Sequence, residues 1–394
     1  MHTIVEQHIR HQHKLRPVRE IYWSIGINGL GLSLVSIFVP IYLYNLGYSL
    51  RSIFLLYMVD FAIRIALQPL AGRFVARFGP KHGFVVAVCF SIITLMLLTT
   101  LRANPQVLWL IPAASAALNV FHFLAFMTYF ARSYEEEKVS SQVSIVSQLI
   151  VTVTTVGPFI GGIIATVLGV QVSLVIAILF VLASIIPLTA SSEPFTRQRF
   201  SLRDLPWQQM KTDALATFGR AIDARSAKIV WPLAIFLLVD SYAEVGFITT
   251  ISFMAVIIAN RMAAKLNRTK SKTTMWTGSV TNAAAHVSKV AVDGSIGATV
   301  VNFIDAISNT FTMIPFQAAL YRHARKANTV SFVAAFNSFN DLGSLFFFGA
   351  LFLATFVLPT SGVFILAFLL AAFGVLLSPA ILQTKLPVST PAKA

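Results

Sequence analysis

The stretch FVPIYLYNLGYSLRSIFLLYMVDFAIRIALQPLAGRFVARFGPK, residues 38–81, returns in altered form as VWPLAIFLLVDSYAEVGFITTISFMAVIIANRMAAKLNRTK, residues 230–270. The spacing between matched positions stays between 187 and 192 residues, and it also fits positions outside the two stretches. The matches are Pro40 with Pro232, Gly72 with Asn260, Arg73 with Arg261, Arg77 with Lys265, Gly79 with Asn267, Tyr134 with Tyr321, and Ser144 with Ser331. We therefore predict two similar halves in the same orientation, a parallel repeat.

The composition around these stretches is typical of a membrane protein. Of the 394 residues, 56% are hydrophobic and 11% are charged, whereas a soluble domain carries about a quarter charged residues. Apolar runs of about 20 residues, the length that crosses a bilayer, alternate with short charged segments. We predict an all-α polytopic membrane protein with twelve transmembrane helices in two six-helix halves. The predicted spans are 21–46, 51–71, 83–101, 107–130, 143–166, 170–189, 214–238, 243–262, 275–293, 295–321, 327–355 and 361–383.

These spans divide the chain into five parts. They are a tail over 1–20, a six-helix half over 21–189, a linker over 190–213, a second six-helix half over 214–383, and a tail over 384–394. The linker carries Phe200, Leu202, Leu205 and Trp207 among arginine and glutamine residues. This mixture predicts a helix that lies at the membrane interface.

The loops differ sharply in charge. Segments on the side of the two tails hold 23 lysine and arginine residues, and the opposite loops hold only Arg51 and Arg102. Cytoplasmic loops carry such an excess, so both termini are predicted to be cytoplasmic, in a plasma membrane of the bacterial inner-membrane type. The same rule explains the net charge of +15, and nucleic acid is not expected as a partner. The single cysteine, Cys89, can form no internal disulfide.

The loop after the second span carries a motif, Gly72-Arg73-Phe74-Val75-Ala76-Arg77-Phe78-Gly79-Pro80-Lys81. With the repeat of six-span halves, it resembles the major facilitator superfamily, whose motif here is Gly-x-x-x-Asp-Arg-x-Gly-Arg-Lys. Gly72, Arg77, Gly79 and Lys81 fit, whereas Ala76 and its counterpart Ala264 stand where the family has aspartate. In the family that aspartate belongs to a charge network that latches the cytoplasmic side. The resemblance implies a transporter whose cavity is lined by the first, fourth, seventh and tenth spans.

A second short pattern lies in the fifth span. Gly157, Pro158, Gly161 and Gly162 resemble the end of a motif found in many drug antiporters, but Val153 replaces its upstream glycine. Small residues at this spacing also form close helix contacts, with a proline kink. We favour this packing role over an antiporter signature.

Ionisable residues inside spans usually face a cavity or the bundle interior. Asp60 and Arg64 are four residues apart and can pair directly on one helix face. The seventh span carries Arg220, Asp223, Arg225 and Lys228 over a sector of about 200°, too wide for one neighbouring helix. The net charge of these four residues is +2, which favours an anionic or zwitterionic solute, with Arg225 and Lys228 near mid-span as its binding residues.

Polar residues of other spans supply partners for this site. Asn119 and His122 share one face of the fourth span, and Asp305 and Asn309 share one face of the tenth. Their candidate roles are solute binding or ordinary hydrogen bonding between helices. Asn28 in the first span is a further candidate. Asp305 and Asp223 are the carboxylates expected to carry a proton, and Asp305 is expected to compete with the solute for Arg225 and Lys228.

The predicted function is secondary active transport of a small anionic or zwitterionic solute by alternating access, driven by an ion gradient, such as that of protons, or by the solute gradient itself. A lipid, lysolipid or drug exporter of the same fold is the alternative, since 33 phenylalanines and a cationic pocket suit an anionic amphiphile. A non-transporting receptor or scaffold of this fold is the alternative from another class. The chain has no Walker motif and no clustered His/Asp/Cys site, so no enzymatic activity, cofactor or metal is expected, and the protein is predicted to be a monomer.

Overall fold

The computed structural model describes residues 23–133, 148, 150–152, 154–189 and 197–384. All regular secondary structure in these residues is helical. The N-terminal tail, Tyr134, Ser144, residues 190–196 of the linker and the C-terminal tail beyond residue 384 lie outside the described residues. The principal helices are α1 (23–33), α2 (Val39–Asn45), α3 (Leu50–Phe78), α4 (Pro80–Thr100), α5 (Ile111–Ser133), α6 (Gly157–Val167), α7 (Val170–Ala183), α8 (Lys211–Arg225), α9 (Trp231–Val239), α10 (Tyr242–Ser288), α11 (Ser295–Lys326), α12 (Thr329–Ala354) and α13 (Thr360–Leu376).

Seven helical segments of the described chain are long and apolar enough to cross a membrane, judged by length and composition. They are Leu50–Phe78, Pro80–Thr100, Pro105–Ala131, Ile150–Val167, Val170–Thr189, Tyr242–Ala291 and Thr360–Gln383. The 50-residue segment covers two predicted spans, because the chain continues through a kink at Lys270, where φ is −136° and ψ is 48°. The total of twelve spans and the two-half repeat remain predictions.

Two prolines that the repeat aligns each follow an interrupted helix. Residues 34–38 form turns between α1 and α2, immediately before Pro40. Ser226–Val230 forms a π-helical turn between α8 and α9, immediately before Pro232. Proline lacks the N–H that an α-helix needs and clashes with the carbonyl four residues earlier. The break in the predicted seventh span therefore falls where the sequence places Arg225 and Lys228.

The outer surface of the bundle is apolar, as a lipid-facing surface must be. Leu179 is 60% exposed, Ile186 71% and Ile258 67%. Inside, one buried cluster lies at the end that carries the linker, which we call the linker end, and joins α3 and α5 to α11 and α12. A second cluster lies towards the opposite end and joins α2 and α3 to α9 and α12. Polar side chains between these two clusters form the candidate site.

Helix α6 packs closely on both neighbours through small residues. A Cβ atom on Gly157 or Gly161 would overlap Ser33 or the Leu34 backbone on one side. On the other side, a Cβ atom on Gly162 would lie 2.5 Å from the Tyr242 carbonyl oxygen. The predicted packing motif thus lies where backbones approach each other.

Replacing Gly246 with alanine should destabilise the contact between α6 and α10, because the new Cβ atom would overlap the Pro158 carbonyl oxygen. Overpacking of this kind costs about 1–3 kcal/mol, and we expect a clear fall in melting temperature. Gly294→Ala is the matched control, since nothing lies within 4 Å of its Cβ position. Equal melting temperatures for the two variants would contradict the close approach.

The described part of the linker, residues 197–210, consists of extended chain and turns and differs from the predicted interfacial helix. The Gln198 N–H donates to the Ala76 carbonyl at 2.9 Å, and the Ser201 N–H donates to Ser331 Oγ at 3.0 Å. The Asn328 side chain donates to the Arg199 carbonyl at 2.6 Å. These bonds fix the backbone against α3 and the start of α12, and Phe200, Leu202 and Leu205 pack on the buried cluster at the linker end.

The loop motif is part of the same contact. The ring of Phe200 occupies the space that a Cβ atom on Gly72 would need, so Gly72 admits the linker and not a neighbouring helix. Gly79 has φ of 95°, a conformation that favours glycine, and it ends α3 and begins α4 in one tight turn. Arg77 lies over the Phe78 ring at 5.2 Å, Arg73 lies in the last two turns of α3, and Lys81 lies in the first turn of α4. Ala76 is buried in the cluster at the linker end.

Candidate functional site

Two adjoining cavities lie inside the described helical bundle. The first has a volume of about 480 Å³ and is lined mainly by the chain from α1 to α6. The second has a volume of about 430 Å³ and is lined by residues from α3, α5 and the helices from α8 to α12. Six residues line both, so the cavities meet at a shared wall. These residues are Ile37, Arg64, Asn119, Arg225, Lys228 and Phe253.

An ion pair forms one side of this wall. Arg64 Nη2 lies 2.5 Å from Asp60 Oδ2, and both side chains are at least 90% buried. The Arg64 and Arg225 guanidinium groups lie 4.4 Å and 4.8 Å from the centre of the Phe61 ring. Arg225 Nε also donates to Ser344 Oγ at 2.9 Å. Two cations thus share one aromatic ring and the nearby carboxylate.

A second carboxylate approaches from α12. Asp341 Oδ2 accepts a hydrogen bond from Gln68 Nε2 at 3.0 Å. It also interacts electrostatically with Arg64 and Arg225. Asp60 and Asp341 therefore both compensate the charge of the two arginines.

Replacing Asp60 with asparagine should destabilise the protein more than replacing Arg64 with glutamine. Without Arg64, Asp60 still has Arg225 as an electrostatic neighbour. Without Asp60, two buried guanidinium groups depend on Asp341. Breaking a buried pair costs about 3–5 kcal/mol, and removing both partners should cost much less. Melting temperatures of the two single variants and the double variant measure this coupling, and simple additivity would contradict it.

A longer buried chain of polar groups joins α8, α10 and α11. Arg220 forms an ion pair with Asp223, and Arg220 Nη2 donates to Asn309 Oδ1 at 2.5 Å. Asp223 Oδ1 lies 2.7 Å from His286 Nε2. Lys289 Nζ lies 3.1 Å from His286 Nδ1 and 3.0 Å from Asp305 Oδ2. We call this set, Arg220–Asp223–His286–Lys289–Asp305, the buried relay.

The chemistry of the buried relay fixes the direction of its hydrogen bonds. The lysine ammonium group can only donate, so His286 Nδ1 accepts from Lys289. The proton of a neutral His286 then lies on Nε2 and is donated to Asp223. Asp305 Oδ1 additionally accepts from Asn282 Nδ2 at 2.6 Å. The buried relay is therefore a connected network with two carboxylates and two permanent donors.

Lys228 differs from the other cations of the site. Its side chain is exposed, and it lines both cavities. Within the described chain it makes no hydrogen bond or ion pair, and its electrostatic neighbours Arg225 and Arg220 repel it. Its ammonium group is therefore available to a ligand in the cavities.

The candidate residues from the sequence fall into three groups. Arg64, Asn119, Arg225 and Lys228 line both cavities, and Asp60, Arg220, Asp305 and Asn309 line one of them. Asn28, His122 and Asp223 line neither. His122 instead packs edge-on against Phe84, with ring centres 5.6 Å apart. Asp305, expected to face Arg225 and Lys228, is bound by Lys289 and Asn282.

Four polar residues of the site, Asn282, His286, Lys289 and Asp341, are not among the candidates from the sequence. In the ninth predicted span, His286 and Lys289 are three residues apart and therefore share a helix face. The ninth span is not among the first, fourth, seventh and tenth spans that the family resemblance implies for the cavity. The sequence does carry a signal for this site, because two ionisable residues inside a predicted span are costly to bury unless they have partners. In the structure His286 and Lys289 are both at most 3% exposed.

A comparison with protein families explains this architecture. The model of the Major Facilitator Superfamily matches residues 21–347. The chain belongs to the major facilitator superfamily. It is a multi-pass membrane protein with the transporter fold of that family. None of the functionally curated proteins matches the sequence.

Solved structures with the same fold are distant in sequence. A bacterial homologue of the iron transporter ferroportin in an outward-facing state has a TM-score of 0.69 and 13% identity, over 93% of this chain and 98% of that one. The human organic anion transporter MFSD10 has 0.65 and 11%, over 90% and 99%. The transporter FucP in the outward conformation has 0.65 and 14%, over 94% and 99%. At these identities the likeness shows the fold alone.

Proposed function

We propose that this superfamily member is a secondary active transporter that moves a small anionic or zwitterionic solute. The solute binds where the two cavities meet, with its anionic group at Lys228 and Arg225. Twelve spans form two repeated halves, which move against each other in alternating access. The bilayer and the solute are the partners, and the monomer is the working unit.

The observation that carries this proposal is that Lys228 lines both cavities and has no hydrogen bond or ion pair in the described chain. Four cations and three carboxylates line the two cavities, and each carboxylate already has a partner: Arg64 for Asp60, Lys289 for Asp305 and Gln68 for Asp341. Arg225 donates a hydrogen bond to Ser344, and among the cations of the cavities only Lys228 makes neither an ion pair nor a hydrogen bond within the described chain. Ligand anions form short, strong hydrogen bonds with an ammonium group held this way.

Contacts at both ends of the cavities support alternating access. At the end opposite the linker, Asn45 Nδ2 donates to the Tyr242 hydroxyl at 2.9 Å, and Phe38 packs on the same ring. At the linker end, Phe130 packs on Tyr321 with ring centres 4.4 Å apart. Each contact joins the chain before residue 190 to the chain after residue 213. Opening one end requires the contact at that end to separate.

Asp305 is the residue that we propose for proton coupling. Its carboxylate lines the second cavity and is also bound to Lys289 within the buried relay. A proton on Asp305 would weaken its bond to Lys289 and disturb the junction of α10 and α11. Asp305→Asn should then abolish accumulation driven by a pH gradient but retain exchange of solute across proteoliposomes. Accumulation at the parent level would exclude Asp305 as the coupling residue.

The test of the proposed function is a binding and flux experiment on the purified protein. A panel of small carboxylates, phosphates and sulfonates is compared with matched amines and sugars for thermal stabilisation, and the best anion is followed into proteoliposomes. We expect stabilisation by anions and zwitterions and saturable flux of the best of them. Stabilisation confined to amines or sugars would refute the anion site, and binding without flux would favour a receptor.

A further inference from the structure

The first cavity changes character along its length. Near the shared wall, its lining is polar and charged, with Asp60 and Arg64 on α3, Ser91 on α4 and Asn119 on α5. Towards the end opposite the linker, about one turn beyond Asp60 and two turns beyond Arg64, the same α3 contributes Leu56. The cavity-lining side of α3 therefore changes from polar to apolar towards the end opposite the linker.

The neighbouring helices repeat this change in the same direction. On α4 the lining runs from the polar Ser91 and Thr94 to Leu95 and Leu98. On α5 it runs from Asn119 and Ser115 back to Pro112 and Ile111. The stretch between Ile111 and Asn119 spans eight residues, or about 12 Å at the helical rise. We call this apolar part of the first cavity, lined by Val39, Leu43, Leu56, Leu95, Leu98 and Ile111, the apolar arm.

From this lining we infer that the solute is an amphiphilic anion, with its charged group at Lys228 and an extended apolar group in the apolar arm. This inference rests on the proposed function and specifies its substrate class. A small hydrophilic anion would leave the apolar arm without a complementary surface. An alkyl chain would bury its surface there and keep its charge at the shared wall.

Charge and geometry distinguish this occupant from a neutral apolar molecule. Arg64, Arg225 and Lys228 all line the inner end of the first cavity, and among the described residues Asp60 is the one carboxylate there. A neutral alkyl compound would not offset this excess of positive charge, and an alkylamine would increase it. An alkyl carboxylate, alkyl phosphate or alkyl sulfate supplies both the negative charge for the cations and the apolar chain for the apolar arm.

The experiment compares probes that differ only in chain length or head group. Butanoate and octanoate, with octylamine and octan-1-ol as charge controls, are titrated into the protein in lipid nanodiscs. Free aqueous probe is measured by dialysis, which removes the effect of partition into lipid. Each buried methylene should raise the affinity about fourfold, so octanoate should bind on the order of 100-fold more tightly than butanoate.

Two variants locate the chain. Ile111→Trp fills the apolar arm and should lower the ratio of octanoate to butanoate affinity at least tenfold. Leu179→Trp adds the same side chain on the lipid-facing surface, where Leu179 is 60% exposed, and should leave this ratio unchanged. The chain-length series on the parent protein stands without either variant if Ile111→Trp fails to fold.

The outcomes separate the inference from the proposed function. Equal affinities for butanoate and octanoate would overturn the inference and leave the anion site intact. A chain-length effect that Ile111→Trp does not reduce would place the chain elsewhere and also overturn it. Binding of octylamine or octan-1-ol as tight as octanoate, or no binding of either carboxylate, would refute the proposed anion site itself.

Discussion

Replacing Lys289 with methionine should destabilise the protein by about 3–5 kcal/mol, the cost of breaking a buried ion pair. Lys289 is 3% exposed and donates to both Asp305 and His286. Its ammonium group also lies 5.2 Å from the centre of the Trp231 ring. Without it, Asp305 and Asp223 lie on either side of His286 with no lysine to offset them. The loss should appear as a large fall in melting temperature.

A loss of stability this large is expected for a lysine in a buried network and not for a lysine on the surface. Lys265→Met on α10 is the matched control, because Lys265 is exposed at the linker end and such substitutions change stability by about 0.5 kcal/mol or less. The double variant Lys289→Met, Asp305→Asn should recover much of the loss. If Lys289→Met melts like Lys265→Met, the buried relay does not stabilise the fold as described.

Replacing Lys228 with glutamine should weaken binding of the anion about 10- to 100-fold, since a hydrogen bond to a charged group contributes about 1.5–3 kcal/mol. The ligand-free protein should be as stable as the parent or slightly more stable. Lys228 has no partner to lose in the described chain, and its removal relieves repulsion with Arg225 and Arg220. Thermal melts with and without the best anion of the panel measure both quantities.

Arg225→Gln should show a different signature from Lys228→Gln. It should also weaken the anion, but it loses the bond to Ser344 and the contact with Phe61, so its ligand-free melting temperature should fall. Lys265→Gln is the control for loss of one positive charge far from the cavities. Parent-like affinity in both Arg225→Gln and Lys228→Gln would contradict the site.

Local spacing gave the parts of the site that lie on one helix. Asp60 and Arg64 pair across one turn, and Arg220 pairs with Asp223 three residues away. Pro40 and Pro232 both follow helix interruptions, because the missing N–H acts on the adjacent turn wherever the residue occurs. Such features depend on near neighbours in the chain and are visible in the sequence.

Contacts between distant helices were not predictable in this way. Asp223 meets His286 across 63 positions, and Asp305 binds Lys289 in place of the seventh-span cations. Which of several buried cations a carboxylate reaches depends on helix rotation, and periodicity leaves that rotation open. The conformation of the linker was not predictable for a similar reason. Apolar residues such as Phe200 and Leu205 suit a helix at the lipid interface and an irregular segment packed on protein equally well.

The most direct test of the central claim is a cryo-EM map of the protein with the most stabilising anion of the panel bound. The anionic group should lie within about 3.2 Å of Lys228 Nζ, a hydrogen-bond distance, with Arg225 beside it. An anion outside both cavities, with Lys228 and Arg225 ion-paired to carboxylates of the protein, would refute the proposed site.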